Sequence, residues 1–328
     1  MKSEFELIEA IARRTRRARK DGPGVVVGIG DDAAVLRFAA REDVVLTTDA
    51  MVEGRHFERG WLKPREIGWR LAAVNLSDIA AVGATPRYAL MSLVLPKRVK
   101  PAEAEAIEAG AAEHLAKYKT SIVGGNIASI EGPLVCEMTI IGTCQRGAAW
   151  TRSGARKSDA IVVAGTLGAA AAAVTTLRGG ARSNSLLKAY KRPTPRLDVA
   201  RALAGNASVH GAIDISDSLS SDVRHVCEAS RLGCELDASA LPISRAVREF
   251  CKQRRKDPVE WALHAGEDYA LLLSVAPQRA AEVCRIIRNS GAPAAVVGCF
   301  TGSRGVYGIL ENGRVRAFEP RGWDHLTR

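Results

Sequence analysis

The chain has 328 residues, of which 47% are apolar, 25% charged and 5% aromatic, with a formal charge of +11. That length suggests two domains with substantial cores, and the composition excludes a disordered chain or a small disulfide scaffold. The basic residues cluster in two helical stretches, 13–20 and 245–256, without the interleaved aromatics of a base-stacking surface, so both read as solvated faces and nucleic acid is not an expected partner.

Phe5, Ile8, Ile11 and Ala12 recur at helical spacing and predict an opening amphipathic helix. Asp21-Gly22-Pro23-Gly24 ends it, and 25–29 reads as a buried strand leading into the turn Gly28-Ile29-Gly30-Asp31-Asp32. A second strand is predicted over 44–48, ending at Asp49, then a long helix over 64–82. A strand over 88–95 and an Ala- and Glu-rich helix over 101–118 follow. Strands at 121–123 and 134–142 should flank a Gly-Gly-Asn loop. The polar, basic stretch 148–157 marks a domain boundary, giving domains 1–148 and 149–328.

Beyond it come a strand at 160–164, a helix at 167–177, a basic connector at 179–191 and a short helix at 195–203. Next are a strand at 212–215, a helix at 218–230 and a strand at 235–237. Helical stretches at 244–252 and 259–262, a strand at 269–275 and a helix at 278–290 follow. Short strands at 294–300, 305–310 and 314–318 close the chain. Strands alternating with helices make this a mixed α/β protein.

Several chemistries are excluded. The seven cysteines form no CxxC pair, which argues against a disulfide framework or a thiolate zinc site. No apolar run reaches a membrane span; the nearest, 160–174, is broken by Gly165 and Gly168. Residues 1–20 lack the apolar centre of a secretory signal, so a cytoplasmic location is expected. No GxxxxGK[ST], GxSxG or HxxxH pattern is present, and Gly28–Ala33 does not satisfy a strict dinucleotide fingerprint. Apart from His56, the histidines read as structural or surface residues.

The aspartates are informative. Asp31, Asp32, Asp49, Asp78, Asp214 and Asp217 mostly follow an apolar strand or interrupt an apolar helix. Unpartnered buried carboxylates are costly, and several together repel unless a cation neutralises them. Oxygen donors beside a phosphate favour Mg²⁺. The acids are therefore expected to gather around divalent cations. Gly124-Gly125-Asn126, Gly165-Thr166-Leu167-Gly168 and Ala265-Gly266-Glu267-Asp268 are candidate turns for cradling phosphate with backbone N–H groups.

Several runs, in order, resemble the thiamine-monophosphate kinase family across nearly the whole chain. They are Gly28-Ile29-Gly30-Asp31-Asp32-Ala33-Ala34, the stretch from Thr47-Thr48-Asp49 to His56-Phe57, and the stretch around Asn75-Leu76-Ser77-Asp78. Gly124-Gly125-Asn126, Thr151-Arg152-Ser153-Gly154, Ile213-Asp214-Ile215-Ser216-Asp217, Gly266-Glu267-Asp268-Tyr269 and Gly322-Trp323-Asp324-His325 continue the series. The resemblance implies two α/β domains, the C-terminal sheet covered by helices, and a homodimer in which the N-terminal sheets pair into a barrel. It implies transfer of the γ-phosphoryl group of ATP to thiamine monophosphate, with Mg²⁺. Asp32, Thr47, Thr48, Asp49, Asp78, Asp214 and Asp217 match metal-site positions, and Asn126 stands where the family has another. Gly125, Asn126, Arg152 and Ser216 match nucleotide contacts; His56, Glu267 and Trp323 match the substrate side. Arg152, as a phosphate clamp, and Asp217 are the expected catalytic residues.

Two positions depart from the family pattern. Asn126 replaces an Asp and loses its charge, which weakens metal binding. Ser218 replaces a Gly, which costs energy if the position needs a positive φ. Alternative readings are another acceptor kinase or synthetase of the same superfamily, or a divergent nucleotide-binding paralogue with weak activity. A selenophosphate synthetase is disfavoured, because no cysteine precedes Cys136.

Overall fold

The computed structural model describes residues 25–27, 35–36, 38–180 and 186–322. The predicted opening helix, the turn carrying Asp31 and Asp32, and Trp323 lie outside the described residues. The chain divides into two compact units, one of Met1–Ile79 with Ala84–Gly147, the other of Ala80–Gly83 with Ala148–Arg328. A short antiparallel pair, β1 (Val25–Val27) and β2 (Val35–Leu36), belongs to the first.

In the first unit, β3 (Glu42–Val52), β4 (Thr85–Pro96), β5 (Ser121–Ile130) and β6 (Val135–Gln145) form one sheet in the order β3-β6-β4-β5. Only β4 and β5 run parallel. Helices α1 (Pro64–Ala81) and α2 (Pro101–Ala116) bury Ile67, Leu71, Leu76 and Ile79 and Ala104, Ile107, Ala111 and Leu115. A helix places residues three and four apart on one face, which is why this spacing in the sequence predicts both helices.

Two predictions here are corrected. Strand β3 extends to Val52, so Asp49 lies inside a strand, where it pairs with Met138, rather than after one. The Gly-Gly-Asn segment is not a loop, because β5 runs straight through it, pairing Leu90 with Gly124 and Ser92 with Asn126. Its second half is exposed and lacks apolar alternation, so nothing local marks it as a strand; main-chain pairing to β4 supplies what propensity does not. Gly125 is required there, since a Cβ would lie 1.9 Å from the Met91 carbonyl oxygen.

The second unit has a seven-stranded sheet in the order β13-β12-β9-β11-β7-β10-β8. Its strands are β7 (Ala160–Ala164), β8 (Val209–Ile215), β9 (Gly233–Asp237), β10 (Ala270–Val275), β11 (Ala294–Thr301), β12 (Tyr307–Glu311) and β13 (Arg314–Ala317). Its helices are α3 (Ala169–Arg178), α4 (Leu187–Lys191), α5 (Leu197–Leu203), α6 (Leu219–Ser230), α7 (Arg245–Gln253), α8 (Pro258–His264) and α9 (Ala280–Asn289). Every residue of β7 and β10 is buried, as for strands covered on both faces, and their sequences AIVVA and ALLLSV are correspondingly apolar throughout. The basic connector after Gly179 contains the helical turn α4, which buries Leu187 and Tyr190.

Candidate active site

In the first unit, alternation along β3 decides which side chains can meet. Thr47 and Asp49 share one face, and the Thr47 hydroxyl donates to Asp78 Oδ2 at 2.5 Å. Asp78, half-buried on α1, thus has a partner for its otherwise costly carboxylate. Thr48 faces the other way, where its hydroxyl accepts from Thr139 and lies 3.4 Å from Glu137 Oε1. The structure therefore joins Thr47 to Asp78 and separates the Thr48 side chain from them.

Asn126 lies still further off. The pairs Asn126–Ser92, Ser92–Glu137 and Glu137–Ala50 form one row across the sheet. Three strand spacings, roughly 14 Å, separate Asn126 from the Thr47–Asp49 stretch. His56 closes a turn: its Nδ1 accepts the Val52 N–H at 3.0 Å and its own N–H donates to Val52 O at 2.9 Å. One nitrogen is thus committed to ordering the loop.

The second unit brings more of the predicted residues together. Asp214 is buried near the end of β8, and Ser216 and Asp217 follow it into the N-terminus of α6. One helical turn on, Asp222 points back into the same place and accepts the Ser218 N–H at 3.1 Å. Burial, reinforced by the charges of Asp214 and Asp217, pushes the Asp222 carboxyl up to about 8 despite hydrogen bonds from the Ser218 and Asp217 backbone. Asp217, Asp222 and His225 each offer a ligand atom, all within 4.8 Å of one another.

Arg152 lies on a 3₁₀ turn, Arg152–Gly154, whose first carbonyl accepts the Ser230 hydroxyl at the end of α6. The His225 pKa is lowered chiefly by burial and then by the charges of Arg224 and Arg152, so the exposed Arg152 is within electrostatic reach of this cluster. Asp222 and His225 were not among the sequence candidates. The available signal was helical spacing, since the i, i+3 pair lies one turn beyond Ser216-Asp217.

Glu267 occupies a turn stitched to the same segment. Its N–H donates to Ser216 O at 2.7 Å, and the Tyr269 N–H donates to Ile215 O at 2.8 Å. Both residues are left-handed, with φ of 67° and 49°. Gly266 makes the approach possible, because a Cβ there would lie 2.4 Å from Asp217 O. Asp268 is fully used: its carboxylate accepts the N–H groups of Gly168 at 2.6 Å, Ala169 at 3.2 Å and Ala170 at 3.5 Å, at the start of α3. This corrects the expectation that the Gly165–Gly168 turn cradles phosphate, since a carboxylate of the chain itself already takes those donors.

Ser218 resolves the second departure from the family pattern. Its φ is 172°, extended backbone open to any residue, so the serine carries no left-handed strain. It caps α6 by accepting the Ser221 N–H at 3.1 Å.

The family models for AIR synthase related proteins match the chain twice, the N-terminal domain over residues 30–144 and the C-terminal domain over 156–311. The thiamine-monophosphate kinase of Rhodopirellula baltica is 36% identical, over 98% of this chain and 97% of its own length. A crystal structure of thiamine-monophosphate kinase from Stenotrophomonas maltophilia superposes with a TM-score of 0.82 at 33% identity, covering 95% of this chain and 97% of its own. AaThiL complexed with AMPPCP and TMP matches at a TM-score of 0.78 and 30% identity, covering 99% of both chains.

Proposed function

The chain belongs to the thiamine-monophosphate kinase family of AIR synthase related proteins, and from that premise we propose that it transfers the γ-phosphoryl group of ATP to the phosphate of thiamine monophosphate, releasing thiamine diphosphate and ADP. The observation that carries this reading is the match over 99% of both chains to AaThiL, whose structure holds AMPPCP and TMP.

The chemistry asks little covalent help from the protein. The acceptor phosphate oxygen is already a nucleophile, so no strong general base is needed; the new P–O bond forms as the bond to the ADP oxygen breaks. What the protein must supply is alignment and neutralisation of crowded negative charge. Mg²⁺ fits the donors of the second unit, because three neighbouring carboxylates, one of them pushed up to about 8 by burial and its neighbours' charge, form a site that a cation relieves. Asp217 and Asp222, whose ligand atoms lie within 4.8 Å of each other and of His225, would hold it there, with the charge of Asp214 close by. In the first unit Thr47 and Asp78, joined by a hydrogen bond, and Asp49 on Thr47's face of β3 offer further oxygen donors, while Asp32 and Thr48 are assigned to a metal by family position alone. Bound Mg²⁺ supplies charge neutralisation between the nucleotide and the acceptor.

Arg152 is assigned as the guanidinium clamp on transferring phosphate, with Gly125, Asn126 and Ser216 contacting the nucleotide. Glu267 attracts the cationic part of the acceptor, and His56 and Trp323 complete its side. We infer also that two copies associate through the open face of the four-stranded sheet, a reading supported by Val44 and Leu46 on β3, 44% and 65% exposed. No helix among the described residues is long and apolar enough to cross a membrane. A cytoplasmic location goes with this reading, supported by seven free cysteines.

The test is direct. Purified protein with ATP, Mg²⁺ and thiamine monophosphate is expected to yield thiamine diphosphate and ADP in equal amounts. Absence of product, when another acceptor of the superfamily is turned over, rejects the assignment.

A further inference from the structure

The turn that carries Arg152 is pressed between two elements of the second unit. At the end of α6 the Ser230 hydroxyl donates to Arg152 O at 2.8 Å. On the other side lies the start of β8. A Cβ on Gly154 would lie 1.9 Å from His210 O, and one on Gly211 would lie 2.5 Å from Thr151 O, so two glycines let the turn and the strand meet backbone to backbone.

The strand is irregular at that contact. Where β8 pairs with β10, Ser274 lies opposite Gly211 and Val275 opposite Val209, which makes His210 the extra residue of a β-bulge. A bulged residue is not fixed by the ladder, yet the His210 carbonyl is the surface on which Gly154 rests. Asp159, just ahead of β7, supplies the missing restraint. Its Oδ2 lies 2.8 Å from His210 Nδ1, accepts the Ser274 hydroxyl at 2.7 Å and accepts the Arg156 N–H at 3.0 Å. One buried carboxylate thus ties together the bulge, the facing strand and the chain four residues beyond Arg152. Serine, histidine and aspartate meet here, but both side chains are spent on the carboxylate and Ser274 is fully buried, so the cluster is a bracket and not a nucleophilic triad.

We propose that Asp159 and His210 are positioning residues for Arg152: by holding the bulged His210 backbone against Gly154 and the Arg156 amide behind it, they set where the Arg152 guanidinium meets phosphate. This rests on the proposed reading of Arg152 as a phosphate clamp. The pair touches the backbone on both sides of Arg152, so its influence on the reaction runs through that one side chain.

A double-mutant cycle tests it, because a group that acts only through Arg152 loses its effect once the guanidinium is gone. His210→Ala removes the tether. His210→Gln fills the space but carries its amide one carbon too far. His210→Asn places an amide nitrogen where Nδ1 stood. Two quantities are read for each: Kd for AMPPCP with Mg²⁺ by calorimetry, and kcat with ATP and thiamine monophosphate. His210→Ala and His210→Gln should weaken AMPPCP binding about three- to tenfold and lower kcat by about tenfold, with His210→Asn close to wild type. In an Arg152→Ala background the same changes should alter either quantity by less than about twofold. A purely structural role would lower Tm and leave the losses equal in both backgrounds, which overturns the proposal. Wild-type Kd and kcat in His210→Ala and His210→Gln, or no recovery in His210→Asn, overturn it too. The binding arm needs no acceptor, so it still decides the matter if thiamine monophosphate is not turned over. Wild-type binding and turnover in Arg152→Ala alone would reject Arg152 as the clamp, and the positioning role with it.

Discussion

Replacing Gly266 with Ala tests whether the segment carrying Asp217 and the turn carrying Glu267 are held at fixed separation. The added Cβ would lie 2.4 Å from Asp217 O and 2.8 Å from Ser216 O. Ordinary contact begins near 3.4 Å, so the turn must retreat by roughly 1 Å, against the hydrogen bonds of Glu267 to Ser216 and Tyr269 to Ile215. Overpacking of this kind costs about 1–3 kcal/mol. For a unit of this size that corresponds to a Tm lower by roughly 3–10 °C. The effect on catalysis should be larger, since a displacement of about 1 Å between groups that must align can cost up to 10²-fold in rate. Calorimetry and initial-rate kinetics on Gly266→Ala, beside Gly60→Ala, supply the readout. Gly60 has nothing within 4 Å of its Cβ position, so the same chemical change there should leave Tm and kcat/KM essentially as they are. If Gly266→Ala behaves like Gly60→Ala, the turn is not clamped and the reasoning fails.

Two further outcomes follow from the same structure. Burial pushes Asp268 up to about 7, against 3.8 in the unfolded chain, despite its three backbone donors. The folded protein therefore holds an extra proton between those values, so stability falls as pH rises through that window and levels above it, by up to about 4 kcal/mol from this group. Asp268→Asn should show a flatter pH dependence than wild type in urea unfolding between pH 4 and pH 7.5; identical slopes would contradict the assignment. Leu46→Glu puts a charge on the open face of the four-stranded sheet, and sedimentation should show it shifted from dimer to monomer, with no shift refuting that face as the interface.

Among the described residues the sequence determined the longer helices and the fully buried strands with little ambiguity, though not the short α4 inside the basic connector. Apolar residues at helical spacing over 64–82, and continuous apolar runs such as Leu271-Leu272-Leu273, are local facts that survive in any fold that buries them. It also made the order of acid-bearing segments legible, and with it the family. Three other features were decided by tertiary structure. Strand β5 passes through Gly124-Gly125-Asn126 because β4 supplies hydrogen bonds and a backbone close enough to exclude any side chain at 125; neither is visible in these three polar or small residues. Thr47 and Thr48 are adjacent in sequence, yet one bonds Asp78 and the other Thr139, because a strand sends neighbours to opposite faces. Asp268 and Ser218 have partners about 100 residues away, at Gly168 and Arg321. Local pattern reports which residues must be buried or charged; only the folded chain assigns each polar group its partner, since hydrogen bonds depend on distance in space and not along the sequence.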